Sequence, residues 1–391
     1  MSSSELRASV SLAAIFALRL FGMFVILPVF ALWADGRPGW TLTLVGIALG
    51  AYGLTQALLQ APFGWLSDRH GRKPLIYAGL AMLAAGSFVC ALGDSPLAMI
   101  LGRMLQGAGA ISATVLAMAA DLTRESQRSK TMAIIGSTIG GVFLLSFVAG
   151  PFLMHRAGVP GIFALTGLLA LVAVAVVRFG VPDAEATPPG LPPVKLHVLL
   201  RNPELARLNV GIFALHAVLM ALFVVVPVAL ARAGLAPADH GWVYLGAVTA
   251  GLALMLPTLV GRASTHERPV FLAAIATVGV SVALLAARLD SLGVMVAALV
   301  IFFAGFNVLE AKLPALVSRA APREARGAAT GVYSSVQFLG TFFGAAAGGA
   351  IAQHAGFVTV LVCCLVVTAA WLAVAWNMGD FLPAASPASR T

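Results

Sequence analysis

The stretch Gly64–Pro74 reads GWLSDRHGRKP and is a polar turn in a chain that is otherwise strongly apolar. Long apolar segments lie on both sides of it, so we expect a short loop at a membrane face. The loop combines one acid, three basic residues and two glycines. This composition between two membrane helices predicts a moving joint, which favours a transporter over a passive membrane anchor.

The composition excludes a water-soluble fold. Hydrophobic residues make up 60% of the 391 residues and charged residues 10%, against about 25% charged in soluble domains. The apolar segments are too long for the strands of a β-barrel, which alternate over about ten residues each. We therefore predict an all-α membrane protein with twelve spans: Val10–Ala34, Leu42–Ser67, Pro74–Leu92, Leu97–Ala120, Thr131–Met154, Gly161–Val181, Leu205–Ala231, Trp242–Gly261, Pro269–Ala287, Leu292–Val317, Ala328–Gln353 and Phe357–Met378.

The basic residues are distributed unequally between the two sides of the predicted membrane. If the N-terminus is cytoplasmic, that side holds most of them, and the opposite side holds only Arg37, Arg156, Arg232 and Arg288. This positive-inside bias accounts for the net charge of +9 without nucleic-acid binding. It predicts that both termini are cytoplasmic.

A proline-rich interval over 182–204 divides the spans into six and six. Pro62 and Pro74 flank the polar loop, and Pro257 and Pro269 flank the equivalent loop with the same spacing. Chance similarity between membrane loops is the alternative to true internal symmetry. Two pseudo-symmetric six-helix halves are a known transporter plan. The predicted organisation is an N-terminal half (1–181), a cytoplasmic linker (182–204) and a C-terminal half with a short tail (205–391).

Ionisable residues inside spans are functional candidates, since each costs about 2.5–3.5 kcal/mol or more to insert. They are Arg19, Arg103, His216, Glu310 and Lys312, and Glu310 is the one acid well inside a span. Arg19 and Glu310 fall at similar depth and are expected to pair. Pairing keeps Glu310 ionised and burial alone favours its neutral form, so alternation between the two predicts a proton carrier. A fixed structural ion pair is the alternative, and His216 could titrate or serve as a neutral hydrogen-bonding group.

Several spans carry aromatic, methionine and sparse polar residues on one helical face. Such walls suit a lipophilic substrate, although ordinary helix packing is the alternative for each residue. The candidate cavity residues are Met23 beside Arg19, Gln106 beside Arg103, Phe213 and Met220 beside His216, and Phe303, Phe306 and Asn307 beside Glu310.

Small residues in the fifth and eleventh spans are expected to allow close helix packing. Pro151 after Gly150 predicts a bend near the outer end of the fifth span. The small residues include Gly136, Gly140 and Gly141 in the fifth span and Gly340, Gly344 and Gly348 in the eleventh.

These motifs resemble those of the major facilitator superfamily, specifically its proton-coupled drug-antiporter branch. Gly64-x-x-x-Asp68-Arg69-x-Gly71-Arg72-Lys73 is similar to the superfamily signature between helices 2 and 3. Arg103-x-x-Gln106-Gly107-x-Gly109 is similar to the helix 4 motif of proton-coupled members, and Gly150-Pro151 to the centre of the antiporter motif. Ser137 and Ser146 replace two glycines of that last motif, which weakens the antiporter likeness.

The chain also resembles the YajR group within this branch. The similar stretches are Leu18–Phe24, Tyr52–Ala57, Asp121–Glu125 and Gly331–Gly340, and the last contributes Tyr333 and Gln337 to the candidate cavity.

The resemblance implies a gating latch at the cytoplasmic side. Asp68 should face the N-terminal end of the eleventh span in the outward-open state, where a helix terminus favours negative charge. Arg72 should pair with Asp121. The implied latch comprises Gly64, Asp68, Arg69, Gly71, Arg72, Lys73 and Asp121.

The combined prediction is a monomeric transporter of the bacterial inner membrane that exports small lipophilic or drug-like compounds, driven by protons and without a cofactor. Glu310 is the predicted proton acceptor, with Arg19, Arg103 and His216 as coupling residues. The alternative is transport of a polar metabolite or organic anion bound through Arg19 and Arg103. An enzyme is disfavoured because the sequence has no metal-spaced cluster, nucleophile elbow or phosphate loop, and a channel because a single buried acid makes no ring of charge.

Overall fold

The computed structural model describes residues 1–182, 199, 201–259, 267–322 and 325–378. The secondary structure of these ranges is helical, and ten of their helical segments are long and apolar enough to cross a membrane. Most of the predicted linker, residues 183–198 and 200, lies outside the described residues. The helices are α1 (Ser3–Phe24), α2 (Phe30–Ala34), α3 (Leu42–His70), α4 (Arg72–Leu92), α5 (Pro96–Ala108), α6 (Ser112–Asp121), α7 (Glu125–Gly180), α8 (Pro203–Arg232), α9 (His240–Leu259), α10 (Glu267–Ala287), α11 (Leu292–Ala320) and α12 (Arg326–Trp376).

Two of these elements each contain a pair of predicted spans. Helix α7 has 56 residues and a non-helical residue at Gly158, with φ 66° and ψ −180°. Helix α12 has 51 residues and a similar residue at Gly356, with φ 83° and ψ 170°. At 1.5 Å per residue each is about 75–85 Å long, more than twice the roughly 30 Å hydrocarbon thickness. Both breaks use glycine, because a side chain is strained at positive φ.

Gly150 and Pro151, where the sequence predicts a bend of the fifth span, lie inside α7. The non-helical residue Gly158 lies between the predicted fifth and sixth spans, so the bend at Pro151 stays a prediction. Gly150 serves close packing, because a Cβ there would lie 2.6 Å from the Val25 carbonyl oxygen and 3.1 Å from Pro28. The outer part of α7 is thus held against the segment between α1 and α2.

The predicted fourth span is broken between α5 and α6. The break begins at Gly109, which lies so close to the Gly79 carbonyl group of α4 that an added Cβ would overlap it. α5 therefore ends at Ala108, where the chain comes closest to α4.

Helix α12 packs backbone to backbone against α3 on one side and α8 on the other. Glycines make this possible, since an added Cβ on any of them would overlap or crowd the neighbouring backbone. The close approach predicted for the eleventh span is confirmed. On the α3 side the contacts are Gly46 with Ala345, Gly50 with Phe342 and Gly53 with Phe338, and on the α8 side Gly340 with Phe213 and Gly344 with Ala217.

Contacts between α1–α7 and α8–α12 are concentrated at the predicted outer end, opposite the Gly64–Pro74 loop. Three pairs mark this closure: the Leu42 amide donates to Gln353 Oε1 at 2.9 Å, Arg232 lies 3.9 Å from Asp35, and the rings of Phe147 and Tyr244 stack with centroids 5.2 Å apart.

The predicted cytoplasmic end is more open. Among the described residues, no atom lies within 4 Å of a Cβ placed at Gly64 on α3 or at Gly327 and Gly331 on α12. The same holds for Gly136, Gly140 and Gly141, so the close packing predicted for these three glycines of the fifth span is wrong in this conformation. The helices thus meet at one end and diverge at the other.

Candidate functional site

Glu310 belongs to a polar cluster formed by α8, α11 and α12. Gln337 on α12 donates through Nε2 to His216 Nε2 at 2.8 Å and to Glu310 Oε1 at 3.4 Å. His216 Nε2 lies 4.0 Å from Glu310 Oε2. A ring nitrogen that accepts a hydrogen bond carries no proton, so this geometry fits a neutral imidazole. Gln337 thus links the carboxylate of Glu310 to the imidazole of His216.

This cluster has unused hydrogen-bonding capacity. Glu310 Oε2, Asn307 Nδ2 and the Tyr333 hydroxyl are buried and have no hydrogen-bond partner among the described residues. The Glu310 side chain as a whole is nevertheless 38% accessible, compared with 12% for His216. A buried polar group without a partner costs free energy, so the cluster is suited to receive a proton, a water molecule or a ligand.

Aromatic rings extend from this cluster toward the predicted outer end. The Phe306 ring lies 6.0 Å from the His216 ring, measured between centroids. Phe303 lies 6.4 Å from Phe143 on α7, which in turn contacts Phe24 on α1 at 5.0 Å. This aromatic wall therefore joins residues of α1, α7 and α11.

The other predicted cavity residues are placed less uniformly. Met23 is half-buried on α1 and Met220 is buried on α8. The Phe213 ring instead lies 6.0 Å from that of Phe343, a side chain with 51% exposure. Phe213 is therefore at the edge of this set.

Arg19 is buried in a second polar cluster, on the N-terminal helices. Its guanidinium donates to Ser112 Oγ at 2.8 Å and to Gln56 Oε1 at 2.5 Å. Gln56 in turn donates to Gln60 Oε1 at 3.1 Å. Only 2% of Arg19 is exposed, so neutral amide and hydroxyl groups hold this charge inside the protein.

Arg103 lies in the same region and is 3% exposed. It donates to Gln106 Oε1 at 2.9 Å, and Gln106 donates to Ser87 Oγ at 2.7 Å. Its guanidinium carbon is 5.0 Å from the centre of the Tyr52 ring, and that of Arg19 is 5.9 Å from the same ring. Tyr52 thus receives two cations on its aromatic ring.

The predicted pairing of Arg19 with Glu310 is absent from this structure. Arg19 finds its partners on α3 and α6, while Glu310 contacts residues on α8 and α12. The physical reason is that each group hydrogen-bonds to neutral side chains within its own set of helices. Similar depth in the membrane does not bring two helices together laterally.

The predicted latch residues do come together. Arg72 Nε donates to Asp121 Oδ2 at 3.1 Å, so the expected contact is confirmed. Arg72 also pairs with Asp68, whose side chain is 62% exposed. Gly71 has φ 88° and separates α3 from α4.

The remaining latch residues surround this turn. The Arg69 guanidinium lies 4.0 Å from the centre of the Trp65 ring, Lys73 is in the first turn of α4, and Gly64 is on the last turns of α3.

Sequence reasoning missed two groups of contacts. Tyr52, Gln56 and Ser112 complete the arginine cluster, and the spacing of Gln56 and Gln60 by one helical turn inside an apolar span was the available signal. The second is Glu5, whose carboxylate accepts from the Arg124 amide at 3.1 Å and from its guanidinium at 2.9 and 3.0 Å.

Comparison with known proteins agrees with this architecture. Residues 12–345 and 208–388 match the family described as Major Facilitator Superfamily. The chain is 39% identical to the inner membrane transport protein YajR of Escherichia coli (strain K12) over 97% of this chain and 85% of that protein. It is 26% identical to the multidrug resistance protein MdtH of Aeromonas salmonicida (strain A449), covering 86% of this chain and 85% of that one.

A solved structure shares the fold at low sequence identity. The crystal structure of an auto-inhibited POT family peptide transporter superposes with a TM-score of 0.77 at 14% identity, covering 97% of this chain and 99% of that chain. The fold and the relatives are those of transporters rather than enzymes, and the chain belongs to the major facilitator superfamily.

Proposed function

We propose that this chain is a proton-driven exporter of small lipophilic or drug-like compounds. It works by alternating access, as two six-helix halves rock about a central site. Glu310 is the proton acceptor, and His216 and Gln337 are its immediate partners. The observation that carries this proposal is a partly accessible carboxylate inside the helices whose Oε2 has no hydrogen-bond partner among the described residues.

The chemistry of Gln337 explains how a proton can alter helix contacts. Its Nε2 group donates to Glu310 and cannot accept a hydrogen bond. Protonation at Oε2, the oxygen without a partner among the described residues, removes the negative charge, so Oε1 no longer accepts a charge-assisted hydrogen bond from Gln337. The contact between α11 and α12 is then weakened, which favours another arrangement of these helices.

Two observations support a lipophilic substrate. Phe306, Phe303, Phe143 and Phe24 form a continuous aromatic wall beside Glu310. A relative over most of the chain is named a multidrug resistance protein. Aromatic walls with few polar groups bind apolar compounds, and a carboxylate beside them favours those that also carry a positive charge.

The proton gradient supplies a moderate driving force. One proton moving down 100 mV releases about 2.3 kcal/mol, which sustains roughly a fifty-fold concentration ratio of a neutral substrate. A pH gradient adds to this.

Twelve crossings, both termini in the cytoplasm and a place in the bacterial inner membrane complete the proposal, with the monomer as the working unit. Helices α7 and α12 each supply two crossings, divided at Gly158 and Gly356. The basic residues then lie mostly on the cytoplasmic side. In this topology the open end of the helices faces the cytoplasm, so the conformation described is inward-facing.

The test is substrate-evoked proton flux in inverted membrane vesicles, using a panel of lipophilic cations, neutral drugs and organic anions. The native protein is compared with Glu310→Gln and with the control Glu267→Gln. The control makes the same change at the first residue of α10, in an ion pair with Arg319. We expect flux in the native protein and in Glu267→Gln, and none in Glu310→Gln. Native-like flux in Glu310→Gln would remove Glu310 from the mechanism.

The second candidate is transport of an organic anion. It is favoured by Arg19 and Arg103, two buried guanidinium groups with no carboxylate within ion-pair distance among the described residues. Flux evoked by the organic anions alone, and lost in Arg19→Gln but not in Glu310→Gln, would support this candidate instead.

A further inference from the structure

The close contact between α3 and α12 ends near the middle of α3, at Phe338 in the part of α12 before Gly356. From the predicted outer end inward, backbone meets backbone at Gly46, Gly50 and finally Gly53, where an added Cβ would lie 2.8 Å from the Phe338 carbonyl oxygen. Beyond that point Gly64 of α3 and Gly331 of α12 have no atom within 4 Å of an added Cβ among the described residues. The close backbone contact therefore ends between Gly53 and Gly64 of α3.

Tyr52 precedes Gly53, where the last of these backbone contacts is made. It is 2% exposed, and its hydroxyl is buried without a hydrogen-bond partner in the described part of the chain. Its position on α3 is fixed from behind by Gly107 of α5, which lies so close to the Tyr52 carbonyl group that an added Cβ would overlap it. The backbone at Tyr52 is thus packed tightly against α5, and the side-chain hydroxyl has no partner among the described residues.

The Tyr52 ring contacts the arginine cluster directly. It approaches the Glu310 cluster only through Phe338, the residue after Gln337. On one side it receives the guanidinium groups of Arg103 and Arg19 at 5.0 and 5.9 Å. On the other side it lies 6.4 Å from the ring of Phe338 on α12. Phe338 directly follows Gln337, which hydrogen-bonds to Glu310.

We propose that Tyr52 is a positioning residue that couples the arginine cluster of the N-terminal helices to the Gln337 segment of α12. This proposal rests on the proposed proton-driven function. When α12 rocks against α3, the Phe338 ring moves across Tyr52, and the guanidinium groups seated on Tyr52 move with it. A change of charge at Glu310 is thereby transmitted to Arg103 and Arg19 although no ion pair joins them.

Among the described residues, each cluster contains few titratable groups besides Glu310 and the two arginines. Around Glu310 these are His216 of α8 and Tyr333 of α12. Around Arg103 they are Tyr52 of α3 and Cys90 of α4. The response of the protein to pH is therefore expected to originate at Glu310, and Tyr52 transmits it.

The test measures the distance between the predicted cytoplasmic ends as a function of pH. Spin labels are placed at Ser129 on α7 and Ala328 on α12, both exposed, after replacement of the three native cysteines. The protein is reconstituted in lipid nanodiscs and measured on either side of neutral pH. The compared variants are Tyr52→Phe, Tyr52→Leu and the control Phe342→Leu, which removes a ring from the same interface one turn away from Tyr52's partner Phe338.

We expect the distance in the native protein to change with pH, and Tyr52→Phe and Phe342→Leu to retain this change. Tyr52→Leu should remain folded and lose most of it, because an aliphatic chain offers the cations no aromatic face. Rescue by phenylalanine separates this role from simple space filling at the interface.

Two outcomes would overturn the proposal, and they differ from each other. A full response to pH in Tyr52→Leu would remove only the role of Tyr52. A native protein with no response to pH at all would overturn the proton-driven function and the coupling with it. A Tyr52→Leu protein that does not fold would be replaced by Tyr52→Met, which fills the space without a ring and must also lose the response.

Discussion

Gln353 on α12 accepts a hydrogen bond from the backbone amide of Leu42, the first residue of α3, at 2.9 Å. The side chain thereby satisfies a helix-terminal amide that belongs to the other set of helices. This bond exists only while the predicted outer end is closed.

Replacing Gln353 with alanine should destabilise the closed outer end. One net hydrogen bond is worth about 0.5–1.5 kcal/mol, which corresponds to a shift of about two- to ten-fold toward conformations open at that end. Spin labels at the exposed residues Pro38 and Asp290 would report the shift as a longer distance. Gln353→Glu keeps the acceptor and places a negative charge at a helix N-terminus, so it should retain the native distribution. An unchanged distribution in Gln353→Ala would contradict the role of this bond.

Asp68→Asn should abolish transport while leaving folding and membrane insertion intact. Asp68 shares Arg72 with Asp121, and in the opposite conformation its charge is expected to meet the N-terminal end of α12. The neutral amide removes both interactions. Transport assays and the melting temperature would be compared with Asp94→Asn, the same change in the exposed connection between α4 and α5. Normal transport by Asp68→Asn would refute the latch.

Gly344→Ala should lower the stability of the protein by about 1–3 kcal/mol, because overpacking at a tight contact forces the backbones apart. An added Cβ there would lie 2.5 Å from the Ala217 Cα atom. Gly136→Ala is the matched control: its site is open, and alanine favours the helix over glycine by about 0.8–1 kcal/mol. Thermal unfolding in detergent should show opposite shifts for the two variants. Equal shifts would contradict the close packing of α12 on α8.

Glu5→Gln should lower the melting temperature and loosen the start of α1. The carboxylate accepts three hydrogen bonds from Arg124, in the turn between α6 and α7, and an amide cannot accept from all of these donors with full charge. Glu204→Gln, at the start of α8 in a surface pair with Arg207, should change the melting temperature little. Hydrogen exchange of the first turn of α1 would locate the effect, and unchanged exchange there would exclude this role.

The sequence was sufficient to predict the helical membrane fold and the local contacts of the latch. Apolar length and the distribution of basic residues are properties of the chain itself, and bilayer thickness converts them directly into spans. The contact between Arg72 and Asp121 was implied by the resemblance to the major facilitator superfamily and not by these properties of the chain.

Contacts that depend on lateral position were not predictable in this way. Arg19 and Glu310 have similar depth, but depth leaves open the distance between helices, and each residue finds neutral partners nearby. The break at Gly109 depends on how closely α4 approaches, which the spacing of apolar residues does not encode. From the sequence alone, Tyr52 cannot be told apart from the other apolar residues of α3. The arginines near its ring are apparent only in the folded structure.

The single non-helical residue at Gly158 leaves almost no slack between the two parts of α7. When one part of α7 moves, the other part must therefore move with it, because no loop between them can absorb the displacement. The same constraint holds at Gly356 in α12. Each of these elements should consequently act as a stiff lever, and the smallest mobile unit at these places is a pair of helical arms rather than one helix.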